Sequence, residues 1–277
     1  MGEELGDLAG GRLVGVTERV DLGSDCGQCY YGPGGQPSVS ADGRYVAFRS
    51  DEFDLVPGDT NAADDVFVYD RQTGVNERVS VSSGGAQGKL YAWSQWPSLS
   101  ADGRYVAFNS VATLVAGDTN GTTDVFVHDR QTGVTERVSV SSGGAQGNQG
   151  SGYGRPSVSA DGRYVAFDSA ASNLVAGDTN GTWDVFVHDR QTGVTERVSV
   201  SSGGAQGNYQ SGFDAVLVSA DGRYVAFWSG ASLVAGDTNG KKDVFVHDRQ
   251  TGITERVSVS SGGGQGNGDS GEHGGGQ

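Results

Sequence analysis

Four times along the chain three oxygen-bearing side chains recur as Asp-x-Asn-x-x-x-Asp: Asp59, Asn61 and Asp65; Asp118, Asn120 and Asp124; Asp178, Asn180 and Asp184; Asp237, Asn239 and Asp243. Oxygen donors at alternate positions of a tight loop suit calcium, which collects roughly six to eight oxygens, backbone carbonyls among them. Gly121, Gly181 and Gly240 fall where such a loop must bend. The pattern departs from the EF-hand in lacking a glutamate at the twelfth position, so the expected affinity is modest and matches an extracellular calcium level. The competing reading is that Asp, Thr, Asn and Gly here only build Asx turns. Fourfold recurrence favours calcium as the cofactor.

A second set of residues does not repeat. Tyr30, Tyr31, Lys89, Tyr91, Trp93, Trp96, Tyr153, Arg155, Tyr209, Phe213 and Asp214 lie in stretches of Gly, Ser, Gln and Asn. Aromatic platforms among flexible amides and hydroxyls stack on sugar rings or grip a peptide; the alternative is that they pack between units. His128, His188 and His247 occupy one repeated position, filled by Tyr69 in the first unit. Copies a whole unit apart cannot converge on a metal, so a structural role is expected. The pairs Asp70 and Arg71, and Asp129 and Arg130, read as turn geometry with surface pairing. No Ser-His-Asp set has non-repeating members, and Asp214 is the one acid in the aromatic stretches, so catalysis is not expected. Cys26 and Cys29 form a single C-x-x-C, which reads as a local disulfide or two thiols rather than half a zinc site.

The elements that must hold these residues follow from the repeat. Aligning "SADGRYVAF" places Asp42, Asp102, Asp161 and Asp221 in register at spacings of 60, 59 and 60 residues, which gives four units. Residues 117–147 return at 177–207 with one change, Trp183 for Thr123. Within the first unit, residues 37–40, 44–48, 65–70 and 76–81 read as strands, rich in Val, Tyr and Phe and separated by turn residues. The second and third strands are apolar on both alternating faces, as in a sheet covered on both sides. In the fourth, Val79 and Val81 alternate with Arg78, Ser80 and Ser82, which predicts a partly wetted outer edge. Short sheets repeated in this way are the blades of a β-propeller, with the Asp-Gly and "DRQTG" turns on one face and the longer loops on the other.

"PSVSADGRYVAF", then "DVFVHDRQTG", then "ERVSV" resembles the TolB-like, WD-repeat-like propeller blade. The resemblance covers residues 37–260 and implies an all-β propeller of four blades, each with four antiparallel strands. It implies little about activity, since such propellers serve as scaffolds, periplasmic partners and parts of enzymes. The residues after Asp42 do not match a sialidase Asp box.

The formal charge is −15 with three lysines, Lys89, Lys241 and Lys242, which opposes the phosphate neutralisation that nucleic-acid binding requires. No apolar run approaches the roughly 18 residues of a membrane span. The expected organisation is an N-terminal segment over 1–36, four blades near 37–82, 97–141, 156–201 and 215–260, and a Gly-rich tail over 261–277. "GVTERVDL" at 15–22 copies the outer strand "GVTERVSV" at 133–140. This surplus strand either completes the last blade of its own chain or exchanges with another copy to form an oligomer or filament. The sequence thus predicts a calcium-stabilised, extracellular or cell-surface interaction scaffold with a protein or glycan partner. A lectin-like module and a glycan-active enzyme are the alternatives.

Overall fold

The computed structural model describes residues 37–270, and every regular element in that range is a β-strand. The first sheet contains β1 (Ser38–Val39), β2 (Tyr45–Ser50), β3 (Asp65–Asp70) and β4 (Val75–Arg78). The second contains β5 (Ser94–Leu99), β6 (Tyr105–Ser110), β7 (Asp124–Asp129) and β8 (Val134–Arg137). The third contains β9 (Ser157–Val158), β10 (Tyr164–Ser169), β11 (Asp184–Asp189) and β12 (Val194–Arg197). The fourth contains β13 (Ser211–Val218), β14 (Tyr224–Ser229), β15 (Asp243–Asp248) and β16 (Ile253–Arg256). Strands follow chain order in every sheet and pair antiparallel, the meander expected from the turn spacing. The 15–22 strand, Cys26, Cys29, Tyr30 and Tyr31 lie outside the described residues.

The first turn of each unit is built by two side chains. Ser40 donates its hydroxyl to Asp42 Oδ1 at 2.6 Å and accepts the Tyr45 N–H at 2.9 Å, while Asp42 Oδ1 also accepts the Arg44 N–H at 3.0 Å. Gly43 closes the turn at φ 72°, in the left-handed region that glycine enters without Cβ strain. Arg44 then reaches across the sheet to Asp70 at 2.9 and 2.7 Å, a bidentate pair that ties the first turn to the end of β3. All four units repeat this pairing. Asp70 and Asp129 also shape the second turn, as expected, by accepting the N–H of Gln72 and Gln131, and their arginine partners are Arg44 and Arg104 rather than the adjacent Arg71 and Arg130. Adjacent side chains on a strand end point apart, so each finds a partner elsewhere: Asp129 on Arg104, and Arg130 on Glu77 of the preceding sheet.

The outer strand is shorter and drier than its alternation predicts. β4 ends at Arg78, and Ser80 is fully buried, its hydroxyl donating to Asp65 and accepting the Val66 N–H. Serine here faces a buried carboxylate on β3, which alternation alone does not show. The 261–277 segment also begins differently from expectation: Ser260 N–H bonds the Gly264 carbonyl and Val259 bridges Gln265, so the fourth unit continues through the same turn as the others.

Three apolar cores lie between sheets, and a smaller fourth gathers Phe48, Leu55 and Phe67 of the first unit. Ala47, Val66, Val68 and Val79 of the first sheet pack on Val106, Phe108 and Phe126 of the second, and the two later junctions repeat this. Backbone bonds join the turns, Ala41 N–H to Ala101 O, Ala101 N–H to Ala160 O and Ala160 N–H to Ala220 O, at 2.8 to 3.0 Å. Beside them each sheet's tyrosine lies on the next sheet's turn glycine. A Cβ on Gly103, Gly162 or Gly222 would fall 2.3, 2.0 or 2.0 Å from a ring carbon of Tyr45, Tyr105 or Tyr164. Gly162→Ala therefore adds a collision with Tyr105 to the backbone strain of φ 76°. Gly193→Ala, at φ 73° with nothing within 4 Å of its Cβ, adds the strain alone. Chemical denaturation is expected to show a loss of about 1 kcal/mol for Gly193→Ala and a further loss of about 1–3 kcal/mol for Gly162→Ala.

Candidate functional site

In each Asp-x-Asn-x-x-x-Asp loop the two carboxylates lie beside an arginine of the same unit. Arg78 Nη1 lies 3.0 Å from Asp59 and 3.6 Å from Asp65. Arg137 stands 3.4 and 3.6 Å from Asp118 and Asp124, Arg197 3.1 and 3.5 Å from Asp178 and Asp184, and Arg256 3.3 and 3.5 Å from Asp237 and Asp243. Each of these arginine side chains is about nine-tenths buried. The asparagine is committed at both ends. Asn120 Oδ1 accepts the Thr122 N–H at 3.1 Å, an Asx turn, while its Nδ2 donates to Asp124 and to the Gly147 carbonyl. That backbone N–H fixes the amide's orientation and turns its oxygen away from the carboxylates. Asn61, Asn180 and Asn239 are held in the same way. The loop therefore presents two carboxylates that already share a guanidinium, and among the described residues no three His, Cys, Asp or Glu side chains gather as metal ligands. Burial pushes the carboxyls of Asp65, Asp124 and Asp184 up, against the lowering hydrogen bonds of Ser80, Ser139 and Ser199.

The histidines are locked into the junctions. His128 Nδ1 lies 2.8 Å from the Thr135 hydroxyl, whose one proton goes to the Val81 carbonyl of the preceding sheet. The ring must therefore donate from Nδ1. His188 and His247 repeat the arrangement, and burial lowers the pKa of all three.

Among the non-repeating residues, Tyr153 and Phe213 come together. Their rings stack at 6.5 Å, and Trp183 meets both edge-on at 5.0 and 5.8 Å. Tyr153 is 50% and Phe213 44% exposed, and Phe213 holds φ 83°, a backbone state that a bulky residue rarely adopts. Tyr91 and Trp96 also have positive φ, but they and Trp93 and Tyr209 make no ring–ring contact among the described residues. Tyr209 instead lies over Gly230, and Lys89 is exposed. Arg155 turns inward: its Nη2 donates to the Pro37 carbonyl at 3.2 Å and the Pro97 carbonyl at 3.3 Å, and its own carbonyl accepts the Val216 N–H. One residue of the third sheet so touches the other three.

No protein-family model matches the chain, and no curated protein matches it. Solved structures do. A puromycin-hydrolyzing peptidase from Mycobacterium tuberculosis aligns with a TM-score of 0.50 at 15% identity, over 81% of this chain and 29% of its own. TolB from Acinetobacter baumannii aligns at 0.48 and 20% identity, over 81% of this chain and 43% of that one. A putative TolB from Agrobacterium tumefaciens aligns at 0.46 and 20%, over 79% and 62%. The chain spans less than two-thirds of each of these proteins. It folds as a β-propeller of four blades.

In propeller terms the aromatic cluster lies on the face opposite the Asp-Gly turns, where β10 passes to β11 and one blade passes to the next. Sequence reading missed the positions that give this face its variety. Immediately before each third strand stand Asp64, Thr123, Trp183 and Lys242, and at the end of each second strand stand Arg49, Asn109, Asp168 and Trp228. Arg49 pairs with Asp64 at 3.4 Å, and Lys242 lies 4.5 Å over the Trp228 ring. The signal was available as the two variable columns inside an otherwise repeated stretch.

The arginine clasp has a titration signature. Removing Arg197 leaves Asp178 and Asp184 buried beside each other, and both carboxyls are already raised by burial. A raised carboxyl pKa means that the stabilising contribution is complete below the unfolded value and lost as pH rises through the folded one. Arg197→Met is therefore expected to lose about 3–5 kcal/mol at neutral pH. Urea midpoints should show the gap to wild type narrowing as the pH falls from about 7 to about 5, above the range where unperturbed aspartates titrate.

Proposed function

We propose that this propeller is a non-catalytic interaction scaffold that binds a protein segment at its loop face through Tyr153, Trp183 and Phe213. The observation that carries the reading is the cluster itself. Tyr153 and Phe213 stand about half-exposed with Trp183 partly covered between them, and among the described residues such ring contacts occur at this one junction. Exposed aromatics held rigid by their surroundings anchor interfaces. Support for a non-catalytic role comes from the histidines, whose Nδ1 protons are given to threonines, and from Asp168, which is fully buried and accepts the Gly154 N–H at 3.0 and 3.1 Å.

Peptide and glycan arrays probed with the same protein test the reading. Phe213→Ala and Tyr153→Ala are each expected to weaken peptide retention about tenfold or more, the usual cost of losing an aromatic anchor. The melting temperature should hardly change, since both rings are half-exposed. Retention on glycans that vanishes with the same substitutions makes the site lectin-like, and binding on neither array removes it.

For the four loops we propose that arginine supplies the cation. The chain should melt at the same temperature in calcium and in chelator. The competing proposal, calcium with an extracellular setting, is supported by the fourfold convergence of paired carboxylates. It gains if calcium raises the melting temperature and Asp118→Ala reduces that rise.

A further inference from the structure

The three rings of the loop-face cluster differ from the other ring contacts among the described residues in how their planes are set. Phe48 and Phe67, Phe108 and Phe126, Phe167 and Phe186, and Phe227 and Phe245 are buried pairs, one to a blade, with interplanar angles of 27° to 29°. In the cluster Tyr153 and Phe213 are 11° from parallel, while Trp183 is turned 72° to the first and 83° to the second. Planes set near a right angle make a corner, and the walls of this corner are ring faces.

The corner has the dimensions that suit a charge. The ring centroids form a triangle with sides of 5.0, 5.8 and 6.5 Å. The point equidistant from all three lies about 3.4 Å from each, so a group resting above it on the solvent side is within the roughly 6 Å at which a ring face attracts a cation. Three rings then act on one charge. The backbone sets the rings in place before anything binds. The Trp183 carbonyl accepts the N–H of Ser211, two residues before Phe213, at 2.8 Å. A Cβ on Gly154, the residue after Tyr153, would fall 3.1 Å from the Phe213 carbonyl carbon, and one on Gly212 would fall 2.6 Å from Cβ of Asp168. Glycine is thus what lets the segments carrying Tyr153 and Phe213 approach so closely, and an arrangement fixed in advance loses less order on binding.

Charge selects the kind of guest. The chain carries a formal −15. The loop side of the third blade supplies Asp168, Asp178 and Asp184, and Asp214 follows Phe213 in the chain; Arg155 and Arg197 are the two cations set against these four acids. Such a surface draws cations and repels anions. Ring faces attract charge but offer little hydrogen bonding, so they favour a weakly hydrated cation, a guanidinium or a methylated ammonium, over a bare ammonium.

We infer that the cluster is a cation site, and that its occupant is a guanidinium or methylated-ammonium group held jointly by Tyr153, Trp183 and Phe213. The inference rests on the interaction role proposed above and names the side chain by which the bound segment is anchored.

Ligand-observed NMR of the full chain with four blocked amino acids tests it: trimethyl-lysine, arginine, lysine and the uncharged tert-butyl analogue of trimethyl-lysine, each as the N-acetyl amide. Trimethyl-lysine and arginine are expected to bind about tenfold or more tighter than the uncharged analogue, with lysine between them. Trp183→Thr restores the residue that the second blade carries at this place, so the fold should be kept. Phe213→Leu keeps apolar volume without a ring face. Each should bring the charged and uncharged amides to about equal affinity, and Trp183→Phe, which retains a ring, should leave a weaker preference. Equal binding of charged and uncharged amides to the wild-type chain, or binding of none of them, overturns the inference. So does a preference that survives in both Trp183→Thr and Phe213→Leu, since the cation then binds elsewhere. In any of these cases the interaction role still stands if array peptides are retained through Tyr153 and Phe213.

Discussion

Between consecutive blades the distance of closest approach is set by a ring lying on backbone: Tyr45 on Gly103, Tyr105 on Gly162 and Tyr164 on Gly222. A side chain at any of these glycines would hold the blades apart and break the alanine-to-alanine bonds beside them. The next blade's arginine covers the outer face of the ring, bonds the glycine's carbonyl and pairs with the previous blade's glutamate. Four residues from two blades are so fitted to one another. Each unit must present the donating half to its successor and the receiving half to its predecessor, and a change in one unit would need an answering change in its neighbour. Repetition almost without variation is the simplest sequence that satisfies both demands at every junction.

The same economy governs charge. The bidentate arginines hold Asp129, Asp189 and Asp248 well below the ordinary carboxylate range, and the contribution of these pairs, present above the unfolded value, is lost only as pH falls through the depressed one. At the opposite face the clasped Asp124 and Asp184 are raised by burial and oppose that trend. A carboxylate near a guanidinium is thus lowered where the pair is forked and wet, and raised where desolvation exceeds the attraction.

Strand number, strand order and the four-blade count were legible because they depend on local chemistry and period: Ser40 and Asp42 build a turn that the sequence states outright, and Phe48 and Phe67 occupy facing positions of a buried pair. What depended on a partner far along the chain was not legible. Alternation assigned Ser80 to solvent because nothing near it reveals that Asp65, 15 residues earlier, waits across the sheet. The oxygen donors of the loops were legible, but not the guanidiniums of Arg78, Arg137, Arg197 and Arg256 that the outer strand brings beside them. Arg155 read from the sequence as one of the ligand-binding residues among the aromatics, and only the curvature of the array brings Pro37 and Pro97 within its reach.

Trp183 is the single departure in a 31-residue repetition, and the junction argument explains why it can occur there. What its column, shared with Asp64, Thr123 and Lys242, contributes in every unit is the backbone carbonyl, which accepts the N–H of Ser94, Ser151, Ser211 and Ser270 in turn, while its side-chain contacts differ from unit to unit. The side chain is therefore exempt from the fit that fixes its neighbours. It answers instead to the end of its own second strand, as Asp64 does to Arg49 and Lys242 to Trp228, and to the loops that cross above. A propeller assembled from copied blades can acquire a distinct surface only at such exempt columns. The third blade uses its own to place an indole between Tyr153 and Phe213.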